Sequence, residues 1–504
     1  MLTPVDSQDF CVGIVGAGMM GRGIAQIAAQ SGCRVVLMDS VPGAATKAVQ
    51  ILDDTFHKLT AKGKLTAEQA QAAVARVSVV DDVDGFAPAQ VVIEAIIENL
   101  EVKKDLLRRL ETVVCPDCIL ATNTSSLSVT AIASSCQRPE RVAGFHFFNP
   151  VPLMKVVEVI DGVLTAPQAV EILDALARRM GHRPVRAKDT PGFIVNHAGR
   201  GFGTEALRIL SESVAGIEQI DMVLKKAAGF RMGPFELLDL TGLDVSHPVM
   251  ESIYHQFYQE PRFRPSPLTG LHNAAGLLGR KSGRGFYRYQ DGVMVTADPV
   301  AVPDVLPTSV WVESSAAGSE IAARLAAIGI KVEGGLPSAQ ALCVVTPLGQ
   351  ECTQAAVAQG LDPRRTVAVD ALFGLDGCIS VMTNPATSAE CRDQAHGLFA
   401  KLAPVVVIKD SPGFIAQRVV CGLINIACEI AQAGIATPQD IDDAVTLGLG
   451  YPHGPLAWGD RLGTTRVLDV LTAIHAATLD PRYRPSPWLR RRAQLGLSLT
   501  TNEI

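Results

Sequence analysis

Glu158 sits inside an otherwise apolar run, Lys155-Val-Val-Glu-Val-Ile160, where a carboxylate is unfavourable unless it has a partner. Twelve residues earlier, His146 closes another strand-like run in Gly144-Phe-His-Phe-Phe-Asn149-Pro150. By itself His146 fits a satisfied core histidine at least as well as a functional one. A His–Glu dyad accounts for both residues: the carboxylate sets the imidazole tautomer and stabilises the imidazolium, and the other ring nitrogen exchanges a proton with an alcohol. A second set of residues suits phosphate. Gly16-Ala-Gly18-Met-Met-Gly21 closes an apolar run and opens a helical pattern, and Asp39 ends the next apolar run. In that setting Gly16 permits a tight turn, Gly18 lets backbone approach a pyrophosphate, and Gly21 lets helix lie on strand while the helix N–H groups meet the phosphates. Asp39 would accept hydrogen bonds from the adenosine ribose hydroxyls and repel a 2′-phosphate. Ser40 and Val41 follow with no arginine, so NAD is favoured over NADP. The bland alternative is a glycine turn in some other α/β protein.

Elements that would position these groups are legible in the hydrophobic pattern. Phe10 to Val15, the glycine turn, a helix to Gln30 and a second run from Cys33 to Met38 form one βαβ unit. Residues 41–76 read as helical with a break at Lys62-Gly63-Lys64, which predicts a helical hairpin projecting from the sheet. Strand-like runs at 77–80, 90–93, 119–121, 141–148 and 156–160 predict a parallel, doubly wound α/β sheet over residues 10–187. His146 then falls at the end of a strand, where such sheets hold their ligands. Thr190-Pro191-Gly192 supplies an N-cap and a proline for the first helical position, and the signal stays helical to about residue 275.

That helical passage recurs. Thr190-Pro-Gly-Phe-Ile194 returns as Ser411-Pro-Gly-Phe-Ile415, an offset of 221 positions (Pro191 to Pro412), and Ile220-Asp221, Gly233-Pro234 and Asp239 recur at the same offset as Ile441-Asp442, Gly454-Pro455 and Asp460. Pro261-Arg-Phe-Arg-Pro-Ser-Pro267 returns as Pro481-Arg-Tyr-Arg-Pro-Ser-Pro487. A nearly gap-free register of this length is a duplication. Four segments follow: residues 1–187, the sheet with its hairpin at about 41–76; 188–291, a first helical domain; 292–408, a small α/β connector without a cofactor motif; and 409–504, a second helical domain.

Composition excludes several classes. At 504 residues and 48% hydrophobic, the chain is too apolar for disorder and too long for one core. Its formal charge of −6, with no dense basic run, argues against nucleic acid. The first ten residues are polar and carry two aspartates, unlike a secretory signal, and a cytoplasmic location is expected. Residues 419–436 contain Glu429 and Gln432 and read as a buried helix instead of a membrane span. Eleven scattered cysteines include a single CxxC, Cys115 and Cys118, without further ligands, so no metal is expected.

Gly16–Gly21 with Asp39, Asn123-Thr-Ser-Ser126, the stretch around His146, Lys155–Ile160 and Thr190-Pro-Gly-Phe-Ile-Val-Asn196 together resemble the L-3-hydroxyacyl-CoA dehydrogenase family. The resemblance covers residues 10–290 in order, with the second helical domain matching as a repeat. It implies a Rossmann-type NAD domain and oxidation of a 3-hydroxyacyl-CoA to the 3-oxoacyl-CoA. The expected substrate is 3-hydroxyadipyl-CoA of phenylacetate catabolism; 3-hydroxybutyryl-CoA of fatty-acid or butanoate metabolism is the alternative, and a non-catalytic scaffold in a β-oxidation complex a more distant one. His146 would be the general base and Glu158 its partner, with Ser125 and Asn196 on the substrate oxygen. Glu98, Lys103, Ser125, Asn149 and Lys281 fall at family positions lining the NAD site, and Thr55 and Lys62, joined by Ser125, at positions meeting the acyl-CoA substrate.

The sequence also departs from the family. His197 stands where an arginine is usual, and Gly199, Gly201 and Gly203 are expected to loosen their helix. Gln417 replaces Asn196 in the repeat, so the second copy is expected to be non-catalytic. Its helices would pair within the chain with the first copy, in place of the pairing between subunits seen in single-copy relatives; a homodimer remains compatible. Arg200 and Arg208 are the candidates to meet a second substrate carboxylate.

Overall fold

The computed structural model describes residues 3–296 and 301–503. Eight strands form the first sheet: β1 (Cys11–Val15), β2 (Arg34–Met38), β3 (Val77–Val79), β4 (Val91–Glu94), β5 (Ile119–Thr122), β6 (Val142–Phe147), β7 (Val156–Asp161) and β8 (Arg183–Lys188), in the order 3-2-1-4-5-6-7-8. Val12, Ile14, Leu37 and Ile93 share one core with α1 (Met19–Gln30), α2 (Ala44–Ala61), α3 (Ala67–Ala75) and α6 (Pro167–Arg179). Val15, Val36, Val92 and Leu120 share the other with α4 (Leu100–Val113) and α5 (Val129–Ala133). Both faces are therefore covered, which is why the central strands are continuous apolar runs. Helices α2 and α3 are the predicted hairpin, the second opened by a Thr66–Gln69 capping box.

One neighbouring pair departs from the expected parallel sheet. Strands β6 and β7 run antiparallel, because the segment 148–155 between them holds no helix and is too short for the crossover of about a dozen residues that a parallel return requires. The reversal sets His146 directly opposite Glu158. Strand β8 escaped the hydrophobic pattern because its outward residues, Arg183, Arg186 and Lys188, break the apolar run.

The first helical copy comprises α7 (Val195–Ser211), α8 (Ile217–Lys226), α9 (Pro234–Thr241), α10 (Leu243–Gln256) and α11 (Pro267–Ala274), followed by a small hairpin of β9 (Arg288–Gln290) and β10 (Val293–Val295). The start of α7 differs from the predicted cap. Thr190 to Phe193 form a turn outside the helix, with Phe193 N–H donating to the Thr190 carbonyl and Phe193 itself at φ +47°. Its repeat, Phe414, adopts φ +51°. The three glycines leave α7 unbroken; a Cβ at Gly201 would stand 2.8 Å from Ile426 Cδ1, so glycine there admits the second copy's first helix.

Beyond it the chain forms β11 (Val310–Val312), α12 (Ala316–Ala327), β12 (Val332–Glu333), β13 (Leu342–Val345), α13 (Cys352–Ala358), β14 (Thr366–Val369), β15 (Ile379–Thr383), α14 (Ala389–Phe399) and β16 (Val405–Ile408). The sheet order is 12-11-13-14-15-16, with β14 and β15 antiparallel. Asp410 accepts the N-terminal N–H groups of α13 (Cys352 2.7 Å, Thr353 3.1 Å) as Asp189 accepts those of α5 (Val129 3.0 Å, Thr130 2.7 Å). Arg365 and Arg141 each anchor a strand start by donating to Ala341 and Cys118 carbonyls respectively. The connector thus repeats the far end of the first sheet with its antiparallel pair, and β11-α12-β12, with β13 on the other side of β11, makes the same crossover as β1-α1-β2 with β4 beside β1.

The second helical copy is α15 (Ala416–Gln432), α16 (Pro438–Leu449), α17 (Pro455–Leu462), α18 (Thr464–Thr478) and α19 (Pro487–Leu495). Contacts group residues up to 197 with 433–449, and 198–432 with 450 onward. In the first group α16 lies on β7 and β8: Arg183 pairs with Asp440 (3.0 Å) and Asp443 (2.9 Å), and Lys188 N–H donates to the Ile435 carbonyl at 2.9 Å. In the second group the equivalent bond runs from Lys409 N–H to the Val214 carbonyl at 3.0 Å. There the two copies also share a buried ion cluster, with Arg418 against Glu205 and Glu212 (both 2.7 Å) and Tyr483 Oη donating to Glu205 at 2.6 Å. Among the described residues, no helix is long and apolar enough to cross a membrane.

Candidate functional site

The glycine turn has the geometry its sequence implies. Gly16 adopts φ +102°, and a Cβ there would strike the Ala95 carbonyl; a Cβ on Gly21 would strike the Gly16 carbonyl. At Gly18 a Cβ would meet nothing within 4 Å, so the backbone faces open space. Gly18 is the N-cap of α1, with no side-chain cap and no acid in the first turn, leaving N–H groups for an anion. Asp39, just past β2, accepts from Ala17 N–H at 2.7 Å and Val41 N–H at 2.9 Å, tying the turn to the strand that ends beside it. These residues fit a dinucleotide.

Glu98 organises the loop after β5. It accepts from Thr124 Oγ1 (2.6 Å), Ser125 N–H (3.0 Å), Ser126 N–H (3.2 Å) and Ser126 Oγ (2.9 Å). Burial would raise its pKa, but Lys103 and these donors outweigh that and hold it below the usual range. Lys103 is itself only 1% exposed, gripped by Glu94 at 2.8–2.9 Å and by Glu98 at 3.3 Å, so it supports Glu98 instead of presenting a free charge. Burial raises the Glu94 pKa despite Lys103 and the Thr122 hydroxyl. The pattern did not flag Glu94, although an acid ending an apolar strand was a visible signal. Asn123 Oδ1 accepts Phe147 N–H at 2.8 Å, fixing this loop to the end of β6. Asn149 is exposed beyond that strand. Lys281 belongs to the other contact group, where its ammonium pairs with Asp244.

The His146–Glu158 pair forms as a cross-strand contact. Nδ1 of His146 lies 2.6 Å from Glu158 Oε2, with both side chains buried. The other carboxylate oxygen accepts Ile194 N–H at 2.8 Å and Val195 N–H at 2.9 Å. The positive-φ turn at Phe193 aims these two donors, at the start of α7, toward β7; a helix N-terminus favours the anion. With Nδ1 donating to the carboxylate, Nε2 is left as the basic nitrogen, and it has no partner among the described residues. Phe148 and Phe193 flank the ring at centroid distances of 4.5 and 6.0 Å. One residue into α7, Asn196 Nδ2 donates to the Ser125 carbonyl at 3.4 Å, so the Ser125 loop and Asn196 meet. Thr55 and Lys62 lie on the hairpin: Thr55 Oγ1 donates to the Ile51 carbonyl, and exposed Lys62, the C-cap of α2, has no ion pair among the described residues.

Residues 11–190 match the NAD-binding domain of 3-hydroxyacyl-CoA dehydrogenase, and residues 192–289 and 413–502 match its C-terminal domain. The chain belongs to the 3-hydroxyacyl-CoA dehydrogenase family. It is 40% identical over 484 residues to 3-hydroxyadipyl-CoA dehydrogenase of Escherichia coli (strain K12), covering 96% of this chain and 97% of that one. A probable 3-hydroxybutyryl-CoA dehydrogenase of Deinococcus radiodurans is 42% identical over 277 residues, 55% of this chain and 99% of the relative. A crystal structure of 3-hydroxybutyryl-CoA dehydrogenase from E. coli K12 substr. MG1655 superposes with a TM-score of 0.86 at 37% identity, covering 96% of this chain and 98% of that one.

In this NAD-dependent 3-hydroxyacyl-CoA dehydrogenase the positions of His146, Glu158 and Asn196 recur in the second copy with other residues. Counting from the paired arginines Arg141 and Arg365, the position of His146 in the repeat is Asp370, whose N–H bonds the Ser380 carbonyl at the place of Glu158. Gln417, at the position of Asn196, donates to Asp370 at 2.9 Å and to the Pro347 carbonyl at 3.3 Å, and accepts Gly349 N–H at 2.8 Å. The longer amide is fully buried and engaged by these three partners. Burial pushes the Asp370 carboxyl up to about 6 despite the Gln417 hydrogen bond.

Proposed function

We propose that this dehydrogenase oxidises L-3-hydroxyadipyl-CoA to 3-oxoadipyl-CoA, a step of phenylacetate breakdown, with His146 as general base. The observation that carries the reading is the buried 2.6 Å contact between His146 Nδ1 and a Glu158 carboxylate already held by two α7 N–H groups. Glu158 fixes the tautomer, so Nε2 takes the 3-hydroxyl proton, and the carboxylate then stabilises the imidazolium. The Ser125 hydroxyl and Asn196 amide hold the reacting oxygen in line, and their donors strengthen as negative charge develops on it. NAD, when bound along Gly16, Gly18, Gly21 and Asp39, supplies the hydride acceptor. Glu98 with Lys103 shapes the loop beside it, and Asn149 completes its surroundings. Thr55 and Lys62 receive coenzyme A, whose phosphates suit a lysine on a protruding hairpin. The second helical copy replaces a partner subunit's helices.

The six-carbon diacid is supported by the full-length relative named 3-hydroxyadipyl-CoA dehydrogenase. A second reading, 3-hydroxybutyryl-CoA, is favoured by the name of the superposing structure. The two separate in a 340 nm NADH assay of the whole chain with each substrate. A higher kcat/KM for 3-hydroxyadipyl-CoA is expected; the opposite ratio installs the second reading.

A further inference from the structure

We infer that Glu94 is a positioning residue of the dehydrogenase: through Lys103, Glu98 and Thr122 it fixes the loop that carries the Ser125 hydroxyl. The inference rests on the assignment of Ser125 to the reacting oxygen above and concerns what holds that hydroxyl in place.

Glu94 ends β4 in the middle of the first sheet, in register with Val15 on one side and Thr122 on the other, and it is fully buried. A carboxylate in that place is unfavourable unless its lone pairs are engaged. Its two oxygens grip the Lys103 ammonium at 2.9 and 2.8 Å; the first also accepts from Thr122 Oγ1 and the second from Ile96 N–H at 3.2 Å. Two routes lead from here to the loop after β5. Lys103, in the first turn of α4, also faces Glu98 Oε2 at 3.3 Å, while Glu98 Oε1 alone collects the four donors of Thr124, Ser125 and Ser126. The Thr122 hydroxyl, by donating to Glu94, is turned to accept Thr124 N–H at 3.2 Å.

Two carboxylates share one ammonium, and Lys103 lies closer to Glu94, so Glu98 can turn one oxygen wholly to the loop. Without the Glu94 charge the buried ammonium keeps Glu98 as its one acid among the described residues. Closing that 3.3 Å gap draws the carboxylate away from the Ser125 and Ser126 N–H groups. The loop so displaced carries Ser125, whose N–H and carbonyl are engaged by Glu98 and Asn196 and whose hydroxyl makes no hydrogen bond among the described residues. A displacement of about 1 Å in such a group lowers a rate by up to about 100-fold. The connector holds an acid–threonine pair of the same kind without the lysine. Glu313, just past β11, accepts from Thr346 Oγ1 and from Thr346 N–H at 2.9 Å, and its other donors are Ser315 and Gln359. There the loop beyond Thr346 has Gly349 at its centre and is held by the Gln417 amide. The lysine link thus accompanies the sheet whose loop carries the serine.

The test is a double-mutant cycle in the full-length enzyme, read as kcat at saturating NAD and 3-hydroxyadipyl-CoA, or 3-hydroxybutyryl-CoA where that proves the better substrate. Glu94→Gln keeps the shape and removes the charge. Alone it should lower kcat by about 10–100-fold, the loss proper to a misplaced group. In a Ser125→Ala background, where Asn196 still holds the oxygen and a measurable rate remains, the same change should lower kcat by no more than about 3-fold, because the hydroxyl it positions is gone. A residue that only supports folding lowers the active fraction equally in both backgrounds, so equal losses overturn the assignment, as does a wild-type kcat in Glu94→Gln. If Glu94→Gln fails to fold, Lys103→Met goes through the same cycle and is judged by the same outcomes. A wild-type kcat in Ser125→Ala overturns the role of Ser125 itself, and Glu94's with it, whereas equal losses overturn Glu94's role alone.

Discussion

Glu158→Gln isolates what the carboxylate does for His146, because the replacement has nearly the same shape. Glu158 accepts three donors: His146 Nδ1 on one oxygen and the Ile194 and Val195 N–H groups on the other. Glutamine offers one acceptor oxygen and one donor NH2 group. If its NH2 faces the histidine, Nδ1 must accept, the ring proton moves to Nε2, and the base is lost. If its NH2 faces α7, two buried backbone donors meet a donor. One orientation disables the base and the other leaves buried groups unpaired, at about 1–3 kcal/mol for each. Neither restores a charge to stabilise the imidazolium, so kcat should fall by about 10²–10⁴-fold. The assay is NADH formation at 340 nm under saturating substrate, beside an NAD titration and thermal unfolding of the same preparations. NAD affinity should stay within about 3-fold, since nothing in the glycine turn is touched, and the melting temperature should drop by several degrees. A variant that retains more than about a tenth of wild-type kcat refutes the dyad argument.

Three other perturbations have defined outcomes. Asp39→Ala should raise the NAD dissociation constant by about 10–100-fold, since it removes charge-assisted bonds to ribose and the Ala17 tie; calorimetric titration with unchanged affinity would contradict the assignment. Asp370→Asn keeps an acceptor for Gln417 and Leu372 N–H while deleting a buried charge. The carboxyl titrates near 3.8 when unfolded and near about 6 when folded, so the folded protein binds the extra proton and stability falls as pH rises through that window. The variant should therefore be more stable at pH 8 by up to about 3 kcal/mol, equal to wild type near pH 3, and fully active; equal urea midpoints at pH 8 sink the reasoning. A chain ending at residue 290 lacks α16 on β7 and β8 and α15 against Gly201, so it should aggregate or dimerise; gel filtration showing a well-folded monomer would refute intrachain pairing.

Much of the site was legible because its chemistry depends on local spacing. The glycine turn with Asp39 is a single βαβ unit, and a carboxylate inside an apolar strand called for a partner whichever way the chain folded. The repeat was legible too, but only where its residues stayed similar. Arg141 and Arg365, or Asp189 and Asp410, keep the same jobs in the two sheets, yet too few identities surround them to stand out from the intervening sequence. Lys103 looked like a ligand-facing lysine; that it is sealed between Glu94 and Glu98 is a matter of burial, which periodicity does not report. The expected start of α7 was misplaced for a similar reason: Thr-Pro-Gly reads as a cap, while the φ of Phe193 is set by packing and by the need to present two N–H groups to Glu158.

By itself the sequence determined the cofactor turn, the identity of the dyad, the doubling of the helical domain and the alteration of the second site, all of which are written in residue type and short-range order. Tertiary structure decided the rest. The reversal at β6 and β7 turns a twelve-residue separation into a hydrogen bond, and the exchange of α16 onto the first sheet joins residues more than 250 positions apart, as in Arg183 with Asp440. It also decided that Arg208 is neutralised within its own protein, because a counter-ion is a fact about neighbours in space, and Asp480 lies 272 positions from the arginine it satisfies.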